Sequence, residues 1–119
     1  MKVYYITPLE KANYLIGIVF GLTAAYHLLG LFIQINDASL TRHLVFVLID
    51  VFCAYGFINR PNLFNFFFAA FTLQQYYSHG SQLIAVWITS YQIHWISVLA
   101  IFWMTLAMAK LLVDYFSVD

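Results

Sequence analysis

The chain has 119 residues, of which 64% are hydrophobic, 20% aromatic and only 8% charged, with five Lys plus Arg against five Asp plus Glu. A soluble domain carries about 25% charged residues, so this composition excludes one and points to an integral membrane protein. The even charge balance offers no basic surface for nucleic acid.

The length accommodates one transmembrane domain over residues 1–119, an all-α bundle of four spans of about 20 residues each with short connections. The first helix is expected over about 8–35. Thr7, Pro8 and Glu10 form a capping box with proline at the first helical position, and Asn36-Asp37-Ala38-Ser39 stops the helix. Lys2 and Lys11 ahead of an apolar run also fit a signal peptide with Thr23-Ala24-Ala25 as cleavage site, but the apolar pattern continues past the alanines. Gly17 and Gly21, continued by Ala25, are a small-residue repeat that permits close approach of another helix.

A second helix, about 40–58, opens at Ser39 or Thr41 and ends at Asn59-Arg60-Pro61-Asn62. Within it Cys53, the one cysteine, reads as a small buried hydrophobe that cannot form an internal disulfide. A third helix, about 61–79, takes Pro61 in its first turn and Gly80 as the left-handed residue of its C-cap. Residues 81–91 are then an interfacial or re-entrant segment, since Trp87, Tyr91 and Trp95 suit a membrane–water interface; continuation of the third helix is the alternative. The fourth helix is expected over about 92–116.

With four spans, Lys2, Lys11, Arg60 and Lys110 share one side and Arg42 stands on the other, so the positive-inside rule places both termini in the cytoplasm. His43, His79 and His94 then sit at the outer ends of their helices, with His27 about four residues beyond the middle of the first. Periodicity gives each helix one polar face: Thr23, His27, Gly30 and Gln34; His43 and Asp50; Asn65, Thr72, Gln75, His79 and Gln82; and His94, Ser97, Thr105 and Met108. Polar side chains in lipid turn toward the protein interior, so these faces are expected to converge in the outer half of the bundle. Asp50 stands out among them, because a carboxylate at mid-span costs about 2.5–3.5 kcal/mol to insert.

Imidazoles are the commonest ligands for copper, zinc and haem iron, with a carboxylate or amide holding the second ring nitrogen. His27, His43, His79, His94 and Asp50 are the candidate metal ligands, and His27, His79, Gln75 and Tyr76 the candidate cofactor contacts, for a metal ion or a haem. No compact metal motif is present, so the warrant is shared depth and face. Beside it stands a plainer reading, in which His43 and His94 are interfacial anchors and Thr72 and Gln75 join helices by hydrogen bonds.

Three functional classes follow: a metal- or haem-binding redox protein or enzyme subunit; a small transporter or proton path centred on Asp50, dimeric through the glycine surface; and a non-catalytic subunit or assembly factor of a larger membrane complex. The layout of four short spans with little outside them resembles many small bacterial membrane proteins, those related to the DoxX group among them. The resemblance is of layout alone and carries no residue roles; it implies the bacterial inner membrane.

Overall fold

Four α-helices account for most of the residues described by the computed structural model, which cover 7–33 and 39–117. They are α1 (Pro8–Gly30), α2 (Leu40–Asn59), α3 (Phe64–Ser90) and α4 (Trp95–Phe116). Three of them, α1 from Glu10, α2 and α4, are long and apolar enough to cross a membrane. The protein is an integral membrane protein. Leu22, Leu29, Leu48, Leu99 and Phe102 are exposed, as a lipid-facing surface requires.

The chain packs as two compact units, Met1–Pro61 and Asn62–Asp119. In the first, α1 opens on the expected capping box: Thr7 N–H donates to Glu10 Oε2 at 2.8 Å and Glu10 N–H to Thr7 Oγ1 at 3.2 Å. It ends at Gly30, short of the expected 35, with residues 31–33 in a turn; Gln34 and the Asn36-Asp37 stop lie outside the described residues. Helix α2 starts at Ser39, whose hydroxyl accepts from the Arg42 amide at 3.2 Å. Its buried face is His43, Asp50, Cys53, Gly56 and Phe57, residues three, four and seven apart.

The two helices run antiparallel, as contacts at both ends show. At one end Arg60 Nη2 donates to Asn13 Oδ1 at 2.8 Å; at the other His27 meets His43. Between them Phe20 stacks on Phe57 with ring centroids 5.8 Å apart, and Gly17 lets the backbones close. A Cβ at Gly17 would stand 3.0 Å from the Ile58 side chain and 3.2 Å from the Ala54 carbonyl oxygen, whereas one at Gly21 would meet nothing within 4 Å. Of the small-residue pair, only Gly17 serves this contact.

Arg60 ends α2 in the left-handed conformation (φ 48°), a place more often taken by glycine. Its guanidinium compensates by bonding Asn13 and lying 5.3 Å over the Phe57 ring. Leu63 is also left-handed (φ 67°), so residues between the two cannot begin a helix. The third helix therefore starts at Phe64, three residues after the expected Pro61.

The second unit pairs α3 with α4. Its buried stripe of Phe64, Phe68, Phe71, Thr72 and Gln75 faces a stripe on α4 in which Ser97, Met104 and Leu111 are seven apart. Past the expected end near 79, α3 continues unbroken through Gly80 to Ser90, so residues 81–90 take the alternative reading, a continuation of the third helix. A glycine inside a helix costs about 1 kcal/mol relative to alanine, too little to stop one whose apolar pattern resumes at Leu83. Left-handed Tyr91 (φ 55°) ends the helix instead, and a short connection leads to His94 and α4, which starts at Trp95 rather than 92.

The packing at Gly17 is open to test. Replacing Gly17 with Val should force α1 from α2 and lower stability by about 1–3 kcal/mol, while Gly21→Val should be close to neutral. Thermal denaturation of both variants in the same detergent checks this, and equal losses would place the α1–α2 contact elsewhere.

Candidate functional site

The N-terminal pair of helices brings two of the predicted histidines into direct contact. His27 Nδ1 and His43 Nδ1 are 3.0 Å apart, joining α1 to α2 near their adjacent ends. His43 is buried, at 1% exposure, because the ring is pressed onto the backbone of Gly30. A Cβ on that residue would fall 2.6–2.7 Å from Cε1, Nδ1 and Nε2 of His43. His27 lies half-buried against Phe46, nearly parallel at 5.1 Å between centroids, and Tyr26 meets it edge-on at 5.2 Å. Arg42, in the first turn of α2, holds its guanidinium 5.5 Å over the other participant, Phe46.

Hydrogen counting fixes what this contact is. An imidazole nitrogen either carries a proton or offers a lone pair, so one Nδ1 donates and the other accepts. The accepting ring is then neutral with its proton on Nε2. The two histidines are thus in complementary protonation patterns, a condition for passing a proton from ring to ring.

Asp50 lies on the same buried face of α2, seven residues from His43 and so about 10 Å along the axis. It is 3% exposed, and among the described residues its Oδ2 has no hydrogen-bond partner. A buried acceptor left without a donor costs about 1–3 kcal/mol, more when charged, so this carboxyl group is retained against a stability cost.

In the C-terminal pair of helices, His79 and His94 meet through a residue that periodicity had only aligned with them. Ser97 Oγ is 2.7 Å from His94 Nδ1 and 3.2 Å from His79 Nδ1, and Ser97 is fully buried. Four residues beyond His79 on α3, Leu83 begins the lining of an apolar hollow of about 360 Å³, completed by Trp87, Gln92, Ile93 and Val98.

The remaining candidates take structural partners. Tyr76 places its hydroxyl 2.6 Å from Thr105 Oγ1, tying α3 to α4, and buried Gln75 donates to Gln74 at 2.6 Å. Thr72 is buried with its Oγ1 unpartnered among the described residues. Of the expected stripe on α3, Thr72 and Gln75 are buried and His79 is partly covered, but Gln82 has turned outward.

These distances bear on the metal expectation. The His27–His43 spacing of 3.0 Å suits two adjacent ligands of one ion with bonds near 2 Å. A zinc site with closed or catalytic coordination needs four or three protein ligands, and no group of three or more His, Cys, Asp or Glu in such an arrangement exists among the described residues.

Sequence reasoning missed Gly30 as the seat of His43 and Ser97 as the bridge between His79 and His94. Both stand three residues after a histidine on the same helix face, which is the signal that could have found them. Changing Gly30 to Ala should push the His43 ring away, break its bond to His27 and lower stability by about 1–3 kcal/mol. Imidazole ¹⁵N spectra of histidine-labelled protein read the first effect and thermal denaturation the second; unchanged His43 signals would contradict this seating. Comparison with protein-family models, curated proteins and solved structures finds no match.

Proposed function

We propose that this protein is a small polytopic membrane protein that moves protons, or couples their movement to another solute, along the buried face of α2. The observation that carries the reading is the direct Nδ1–Nδ1 hydrogen bond of His27 and His43, between two helices that are each apolar enough to span a membrane. Asp50 is the second station, near the centre of α2. Intrabilayer carboxylates and histidines are costly to insert and characterise proton relays. At about 10 Å from His43, Asp50 exchanges protons with the imidazole pair through intervening water rather than directly.

A metal ion held by His27 and His43 is the second reading, favoured by the same 3.0 Å spacing. Two protein ligands leave the remaining positions to water, substrate or a partner, which suits a transient or transported ion better than a structural one.

The finer topology belongs to the same proposal. Helix α3, with 27 residues, reaches about 40 Å and is read as a fourth span, with Thr72 and Gln75 on its buried face. Both termini are then cytoplasmic, in a bacterial inner membrane, with a second copy or a larger membrane complex as the partner.

Proteoliposomes loaded with a pH-sensitive dye and driven by a potassium diffusion potential test the proton reading. Wild type should acidify or alkalinise the lumen according to the sign of the potential. His43→Gln and Asp50→Asn should each cut the rate about a hundredfold, the low end for losing a positioned acid–base group. Wild-type vesicles no leakier than empty ones would refute the proposal, and stoichiometric metal in protein purified without an affinity tag, lost in His43→Gln, would select the metal reading.

A further inference from the structure

The structure assigns a second proton relay to the C-terminal pair of helices: His79, Ser97 and His94, joined through the Ser97 hydroxyl. It rests on the proton-handling reading and extends it to a residue that is neither imidazole nor carboxylate.

Ser97 Oγ lies within hydrogen-bond distance of both Nδ1 atoms, 2.7 Å from His94 and 3.2 Å from His79. A hydroxyl carries one hydrogen and accepts at its lone pairs, so it donates to one ring and accepts from the other. With Ser97 donating to His94, His79 must carry its proton on Nδ1 and His94 on Nε2. A proton arriving at Nε2 of His79 then releases the Nδ1 proton to Ser97 Oγ, while Ser97 passes its own to Nδ1 of His94. His94 finally sheds its Nε2 proton. One proton enters, one leaves, no group is oxidised, and the two rings have exchanged tautomers.

The geometry favours this over a simple interhelical tie. Ser97 is fully buried, so competing water does not hold its hydroxyl, and it stands on the inner stripe of α4, one turn past His94, the residue that caps the helix. His94 makes no side-chain hydrogen bond to the backbone of the first turn, leaving Nδ1 committed to Ser97. An interhelical tie needs one histidine; here a single hydroxyl holds two.

The test combines ¹⁵N spectra of histidine-labelled protein in lipid with the vesicle assay. Wild type should show His79 and His94 in opposite tautomers, a correlation lost in Ser97→Ala; with flux measured in the His43→Gln background, Ser97→Ala should bring what remains close to that of empty vesicles. Ser97→Cys keeps a proton-bearing group of similar size and should retain more flux than Ser97→Ala. Identical tautomers in wild type, full flux in Ser97→Ala, or equal loss in both variants would overturn the relay while leaving the His27–His43 path standing. Absence of flux in wild type would instead overturn the proton reading itself and the relay with it.

Discussion

A polar side chain in hydrocarbon must find its partner inside the protein, and in both pairs of helices imidazole helps to meet that requirement. The bond between His27 and His43 closes the α1–α2 pair at the end opposite Arg60. Water would otherwise compete for both rings, and its exclusion is what turns a weak surface contact into one that orients two helices. Gly30 makes the arrangement possible by giving the His43 ring the volume that a methyl group would take.

The two ends of that pair solve different problems. At the Arg60 end a cation adopts a left-handed backbone and is held by Asn13 and Phe57, an anchor built from charge-assisted hydrogen bonding and a ring face. At the His43 end the groups can trade a proton without losing their bond, because each imidazole is both acid and base. The first is a fixed joint. The second is one whose internal hydrogen can relocate, and Asp50 farther along the same face supplies a carboxyl group whose Oδ2 has no hydrogen-bond partner among the described residues. Stability alone would select an apolar residue at that position.

The same economy recurs between α3 and α4. Tyr76 and Thr105 tie the helices by two hydroxyls, and the ion pair of Lys110 and Asp114 neutralises a buried amine within one turn of α4. Neither involves a histidine. The histidines His79 and His94 are instead gathered on Ser97, so in both pairs of helices the imidazoles are bonded through Nδ1, and in each pair one such bond crosses the helix–helix contact.

Composition and periodicity made the class, the helices and the polar faces legible, since apolar content sets the solvent and a 3.6-residue repeat sets which side chains share a side. Thr7, Pro8 and Glu10 announced α1, and the heptad spacing of His43 and Asp50 put both on one buried face. The ends of α3 were not legible: Gly80 and Pro61 carry boundary chemistry, but whether a glycine caps or is passed through depends on what packs around it, and left-handed Leu63 and Tyr91 bear no local sign of that conformation. Nor could spacing give partners. It names a face and a depth, whereas the pairing of His27 with His43, and of His79 with His94 through Ser97, depends on how two helices approach in three dimensions, which for α1 and α2 the small volumes at Gly17 and Gly30 decide.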